Sequence, residues 1–170
     1  MMKKINIIKA TINDVDQLQQ IGRQTFIETF SAQNSEADMQ KYLAEDFAIP
    51  MLKKELDNEH SLFYLDELGS KIAGYLKVNF ASAQTEIKDK YSLEIERIYV
   101  LKEYHGKQVG QKLFEKAKHI AVRNRLDYIW LGVWEHNPRA IRFYEKNGFE
   151  AFDTHVFQLG DDEQTDVLIG

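Results

Sequence analysis

Val133-Trp134-Glu135-His136-Asn137-Pro138-Arg139-Ala140-Ile141-Arg142-Phe143-Tyr144-Glu145-Lys146-Asn147-Gly148-Phe149 is the stretch on which the fold of this chain turns. Asn137 before Pro138 is an N-cap followed by proline at the first helical position, and Gly148 supplies the C-terminal cap, so a helix is expected over Pro138 to Asn147. The seven residues from Asn137 to Tyr144 turn through about 700°, which puts the two side chains within about 20° of each other and roughly 10 Å apart along the axis. One face therefore carries an amide and a phenol. Ala140 and Ile141 share or border that face and are small and apolar, and Phe143 reads as a core aromatic.

Working outward, Tyr128 to Trp134 is rich in aromatic and branched residues and reads as the strand that feeds this helix. About 30 residues before the helix lies Arg97-Ile98-Tyr99-Val100-Leu101-Lys102-Glu103-Tyr104-His105-Gly106-Lys107-Gln108-Val109-Gly110. It reads as strand, tight turn and helix start, with the helix running to about Arg125. The unpaired N–H groups of such a start, from Lys107 through Gln111 to Lys112, and the helix dipole form a cradle for a pyrophosphate. Glycine lets the backbone approach the ligand. In the strand from Leu93 to Leu101, strict alternation sets Leu93, Ile95, Arg97 and Tyr99 against Glu94, Glu96, Ile98 and Val100, which places Glu96 on the face of Ile98 and Val100. A carboxylate among apolar neighbours either pairs with a cation such as Arg97 or Lys102 or performs chemistry; Glu94 is the reserve.

The rest of the chain completes a mixed α/β (α+β) pattern. Ile5 to Ala10 reads as an edge strand, and Asn13 or Asp14 caps a helix carrying Leu18, Ile21, Phe26 and Phe30. A second helical region begins after Ser35, breaks near Pro50 and continues to about Asp57. Ser61 to Glu67 and Lys71 to Phe80 form a hairpin about Leu68-Gly69-Ser70, Ala81 to Ser92 is irregular, and Phe149 to Leu159 with Thr165 to Ile169 closes the chain as a second hairpin.

At 170 residues, with neither a Pro/Gly/Ser-rich linker nor an internal repeat, residues 1–170 are expected to form a single domain. The absence of cysteine excludes disulfide frameworks, thiolate metal sites and a cysteine nucleophile. The apolar run after Met1-Met2-Lys3-Lys4 is broken by Asn6 and ends at Lys9, too short for a signal peptide. With no run of 18 apolar residues, a cytoplasmic protein away from the membrane is expected. The net charge of -5 argues against a nucleic-acid footprint and favours a cationic partner.

The order V-x-x-x-N-x-x-A-x-x-F-Y-x-x-x-G-F from Val133 to Phe149 resembles the acetyl-CoA-binding end of the Gcn5-related N-acetyltransferases. The upstream turn is similar to that family's Gln/Arg-x-x-Gly-x-Gly/Ala pattern, with His105 at the Gln/Arg place, Gln108 at the first glycine and Gly110 at the last. The resemblance implies a partly antiparallel central sheet flanked by helices, with a splayed strand pair holding acetyl-CoA against Ile98, Tyr99 and Val100. It implies that the cradle spans His105, Gly106, Lys107, Gln108, Val109, Gly110, Gln111 and Lys112, with Asn137 and Ala140 along the pantetheine arm. Tyr144 is then aimed at the thioester sulfur, and Glu96 acts on the amine through water.

A closer resemblance covers nearly the whole chain. Thr25-Phe26 with Thr29-Phe30, Leu93 to Tyr99, Ile129 to Glu135, and Gly160-Asp161-Asp162-Glu163-Gln164-Thr165-Asp166 are similar to the bacterial PaiA-type spermidine/spermine acetyltransferases. This implies transfer of acetyl from acetyl-CoA to a polyamine, directly and with no metal, by a monomer or homodimer. From the residues themselves, Glu28, Glu36 and Asp38 near Phe26, Phe30 and Tyr42 are expected to line an acidic, aromatic groove for a long polycation. Acetylation of a protein N-terminus or another small amine, and a non-catalytic acyl-CoA sensor or regulator, are the alternatives; retention of both Glu96 and Tyr144 favours catalysis.

Overall fold

A computed structural model of the protein describes residues 5–159 and 162–170. Met1 to Lys4 and the Gly160-Asp161 pair lie outside the described residues. Among the described residues seven strands form one sheet in the order β1-β2-β3-β4-β5-β7-β6, with β1 at Ile5–Lys9, β2 at Ser61–Leu68, β3 at Lys71–Phe80, β4 at Ser92–Val100, β5 at Tyr128–Trp134, β6 at Ala151–Leu159 and β7 at Asp162–Ile169. Every neighbouring pair is antiparallel except β4 and β5, which run parallel because helix α4, Val109–Arg123, crosses between them. Helices α1 (Val15–Phe30), α2 (Glu36–Asp46) and α3 (Ile49–Asp57) precede the first hairpin, and α5 (Pro138–Lys146) follows β5. Pro50 does not kink one long helix: it sits in the first turn of α3, where its missing N–H costs nothing, and α2 ends before it.

Two cores lie on opposite faces of the sheet. Leu113, Phe114, Ala117 and Ile120 of α4 pack with Leu76, Val78, Leu93, Ile95 and Leu131 on one face. Leu18, Ile21, Phe26 and Phe30 of α1, with Leu43, Phe47 and Leu52, pack against Phe63, Leu65, Tyr75 and Trp134 on the other. β5 alternates between the cores, sending Leu131 and Val133 to the α4 side and Trp134 to the α1 side.

The alternation expected along β4 fails at one residue. The β3–β4 register runs Lys77↔Arg97 and then Val78↔Ile95, leaving Glu96 as the extra residue of a bulge. Leu93 and Ile95 therefore share the α4 face with Ile98 and Val100, while Arg97 and Tyr99 turn to the α1 side. Glu96 does not project with Ile98 and Val100 as strict period-2 reading places it. At the Val100 end of the ladder β3 comes so close that a Cβ on Gly74 would stand 2.5 Å from the Tyr99 carbonyl oxygen, so only glycine fits there.

The bulge also sets the cleft. β4 and β5 are hydrogen-bonded from Ser92↔Tyr128 only to Ile95↔Leu131, and beyond that β5 keeps its pairing with β7 while β4 keeps its pairing with β3. The two strands part into a V whose facing edges carry backbone N–H and C=O groups that pair with no strand.

Candidate active site

The V opens into a cleft of about 750 Å³, within the range of pockets that enclose an extended cofactor. Ile98, Tyr99 and Val100 form one wall and Gly132, Val133 and Trp134 the other. The start of α4 closes one end, and Asn137, Ala140, Phe143 and Tyr144 of α5 line the side.

The start of α4 is built for an anion. Among the described residues no side chain caps it, and the first intrahelical bond is donated by the Lys112 N–H to the Gln108 carbonyl at 3.0 Å. The N–H groups of Val109, Gly110 and Gln111 thus have no partner within the helix and point with the positive end of its dipole. Gln108 adopts a left-handed conformation with φ 66°, and Gly106 has φ 79°. Glycine adopts such a conformation freely, whereas Gln108 carries the strain of a side chain in it.

His105 joins the two sides of the cleft. Its Nε2 lies 2.9 Å from the Val100 carbonyl oxygen and its Nδ1 2.6 Å from an Arg139 guanidinium nitrogen. A carbonyl only accepts and a guanidinium only donates, so the imidazole donates from Nε2 and accepts at Nδ1. Arg139, in the first turn of α5, is a cleft residue that sequence reasoning did not single out, although its position two residues after Asn137 was in view. Lys107 and Lys112 do not line the cleft. The Lys107 ammonium sits over the Tyr104 ring and that of Lys112 pairs with Glu115 at 3.7 Å, leaving them only their backbone positions beside the cradle.

Asn137 caps α5, its Oδ1 accepting from the Ala140 N–H at 3.3 Å, which leaves its Nδ2 as the group with donors to spare. Tyr144 is buried between Phe114, Phe143 and Phe149, and burial pushes its phenol well above the usual range. Among the described residues its hydroxyl has no hydrogen-bond partner, and it lines the cleft.

Glu96 is held on three sides. Its Oε1 lies 2.9 Å from the Lys77 ammonium and accepts from Asn79 at 2.8 Å, and its Oε2 lies 3.2 Å from Arg97. Glu55 completes the cluster, 2.7 Å from Lys77 and 3.1 Å from Arg97. Burial alone would raise the Glu96 carboxyl, but the combined pull of Arg97, Lys77 and the hydrogen bonds from Lys77 and Asn79 outweighs it and holds the group at about 2. Glu94 is buried and satisfied by Asn79, by the Thr85 N–H at 2.8 Å and by the Thr85 hydroxyl at 2.5 Å.

A second cavity of about 190 Å³ lies on the α1 side of the sheet and shares Phe30, Glu96, Tyr99, Gly132 and Trp134 with the cleft. Of the residues expected to line an acceptor groove, Phe26, Phe30 and Tyr42 are here, stacked at 4.6 Å and 4.3 Å from Phe26. Glu28 lines the cleft instead, its Oε1 accepting from the Lys102 N–H at 2.9 Å. Glu36 and Asp38 line neither cavity; they occupy the first turn of α2, where acids complement the dipole and Ser35 caps the Asp38 N–H. The expected groove therefore does not assemble from all six residues.

Residues 20–149 match the model of the acetyltransferase (GNAT) family. An uncharacterised N-acetyltransferase in the pepI 3′ region of Lactobacillus delbrueckii subsp. lactis is 39% identical over 168 residues, 99% of this chain and 97% of its own length. The spermidine N(1)-acetyltransferase of Thermoplasma acidophilum is 25% identical over 154 residues, 88% and 91% of the two chains. Among solved structures, the PaiA N-acetyltransferase of Thermoplasma acidophilum in complex with coenzyme A superposes with a TM-score of 0.80 at 23% identity, covering 98% of this chain and 97% of that one.

Proposed function

The chain belongs to the acetyltransferase (GNAT) family, an N-acetyltransferase that uses acetyl-CoA as co-substrate, and on that premise we propose that it acetylates a primary amine of spermidine or spermine by direct transfer. The observation that carries this reading is the shared wall. The cleft that suits a coenzyme and the acid-bearing aromatic cavity meet at Gly132, Tyr99 and Trp134, so an amine in one adjoins a thioester in the other. The spermidine acetyltransferase that aligns with 88% of this chain and the net charge of -5 support a polycationic acceptor.

In this reading the pyrophosphate rests on the Val109, Gly110 and Gln111 N–H groups with Arg139 beside it, and the pantetheine amides complete the open edges of β4 and β5. The amine nitrogen attacks the thioester carbon, the carbon–sulfur bond breaks, and Tyr144 donates a hydrogen bond to the sulfur as charge gathers there. A phenol near ~10 is already less acidic than a thiol near ~8.5, and burial widens that gap, so Tyr144 acts as donor rather than giving up its proton outright. A primary ammonium near ~10.4 is about 0.1% neutral at pH 7.4, a deficit of ~4 kcal/mol. Glu96, pinned at about 2 by its two cations, is a weak acceptor for that proton and serves as a fixed charge at the junction, so the protons that the amine loses before and after attack pass to water in the open cleft and the coenzyme leaves as its thiolate.

Gly110→Pro is expected to fold, because the N–H it removes belongs to the first turn and has no intrahelical partner. It deletes one cradle donor to a charged group, so acetyl-CoA binding by calorimetry should weaken about tenfold or more. Unchanged affinity in a folded variant removes this turn from the site. For the acceptor, thiol release with spermidine, spermine and an aliphatic monoamine of similar length is the test. The polyamines should show kcat/KM at least about tenfold higher, with an advantage that shrinks as salt is added. Equal use of the monoamine would overturn the polyamine assignment while leaving acetyl transfer in place.

A further inference from the structure

The smaller cavity holds one acid that, among the described residues, has no hydrogen-bond partner. Asp166 of β7 stands opposite Trp134 of β5, and its Oδ2 lies 3.3 Å from where a Cβ on Gly132 would be. Because Gly132 lines both cavities, the bare glycine backbone lets the carboxylate reach the wall between them. Among the described residues it accepts no hydrogen bond. The other acids of the cavity are engaged: Glu96 by Lys77, Arg97 and Asn79, Glu94 by Asn79 and Thr85, and Glu86 by His155 at 2.6 Å. Arg97 is engaged through one guanidinium nitrogen by Glu55 and Glu96, while its buried Nη1 has no hydrogen-bond partner among the described residues. A half-buried carboxylate without a partner costs free energy that a cation seated on it recovers.

We propose that Asp166 recognises the acceptor, forming the ion pair with an ammonium group of the amine, with Trp134, Tyr42 and Phe157 as the aromatic walls around it. An ammonium is the group that suits both surfaces, since it gains from a carboxylate and from ring faces at once. Asp166 is thus a specificity-determining residue on the last hairpin, separate from the α1–α2 acids expected from sequence. The inference rests on acetyl transfer to a cationic amine only for the identity of the acceptor.

The pH dependence follows with a definite sign. Burial pushes the Asp166 carboxyl up, and the nearby His155 pulls it partly back, to about 6. The ion pair is therefore available above about pH 6 and is lost below it. Of the groups facing it, His155 from β6 is the one imidazole, so His155→Gln separates its contribution from that of Asp166. Burial drives the phenols of Tyr42, Tyr75 and Tyr99 upward, out of that window. Glu96 titrates far below it, and Glu94, raised by burial, keeps its hydrogen bonds to Asn79 and Thr85.

The test is calorimetric binding of spermidine to the protein saturated with coenzyme A, in wild type, Asp166→Asn and Asp166→Glu, beside thiol release in the same proteins. Asp166→Asn keeps shape and breaks no existing hydrogen bond, and its thermal melt verifies folding. Spermidine affinity should fall about 30-fold or more in Asp166→Asn, recover partly in Asp166→Glu, and leave acetyl-CoA affinity within about threefold. The wild-type loss of binding below about pH 6 should persist in His155→Gln and vanish in Asp166→Asn. Equal spermidine affinity in wild type and Asp166→Asn, or no binding by wild type, overturns the assignment of Asp166 even if thiol release proceeds. Binding that depends on Asp166 without any thiol release would instead refute the catalytic reading and leave the recognition site standing.

Discussion

Tyr144→Phe is expected to slow single-turnover acetyl transfer by about 10² to 10³ while acetyl-CoA affinity changes little. The substitution keeps the ring and its packing against Phe114, Phe143 and Phe149, and the hydroxyl it removes has no partner among the described residues. A tyrosine present only for packing would then lose almost nothing in activity or in stability. A donor to sulfur behaves otherwise, since its hydrogen bond strengthens as the thiolate forms and so belongs mainly to the transition state. Rapid-quench transfer beside equilibrium binding separates the two. A fall of less than about threefold, with chemistry rate-limiting, removes Tyr144 as the donor.

Glu96→Gln is expected to cost about 3 kcal/mol of stability at pH 7, the linkage value of a carboxyl lowered from 4.5 to about 2 on folding. Because the folded value is the lower one, this contribution is complete above about pH 4.5 and disappears as pH falls through about 2. The difference between wild type and variant in denaturant melts should therefore close on acidification. Asp66 and Asp166 act with the opposite sign, their carboxyls being raised by burial to about 7 and about 6, so they penalise the folded state as pH rises through those values. They are common to both proteins and cancel in the difference. If Glu96 is a fixed charge rather than a base, transfer in the folded variant should fall by less than about tenfold and keep its acid limb. A loss of about 10² or more together with the limb would restore Glu96 as the proton acceptor.

The parts of this molecule that local chemistry dictates were legible before any coordinates. Asn137-Pro138 and Gly148 frame α5, the apolar run of Tyr128–Trp134 is β5 residue for residue, and the glycine turn at His105-Gly106 leads into an uncapped helix start. The closing hairpin and the first strand at the sheet edge follow from the same signals. What strict alternation could not give was the β4 bulge at Glu96, although the apolar residues shift phase there, from Leu93 and Ile95 to Ile98 and Val100. Glu36 and Asp38 were drawn into a groove by their charge, yet first-turn acids are equally what α2 needs at its N-terminus. The His105–Arg139 bridge and the place of Asp166 beside Gly132 join residues 34 apart in sequence in the first case and on separate elements in the second, and no local spacing encodes them.

The position of the coenzyme is the point on which everything else depends, and a crystal structure of the protein with acetyl-CoA measures it directly. The expected result is a pantetheine arm in the V between Ile98–Val100 and Gly132–Trp134, the pyrophosphate on the N–H groups of Val109, Gly110 and Gln111, and the thioester sulfur within hydrogen-bonding reach, about 3 to 3.5 Å, of the Tyr144 hydroxyl. A coenzyme seated elsewhere, or one lying in the V with its sulfur turned away from both Tyr144 and the cavity that holds Asp166, would contradict the site.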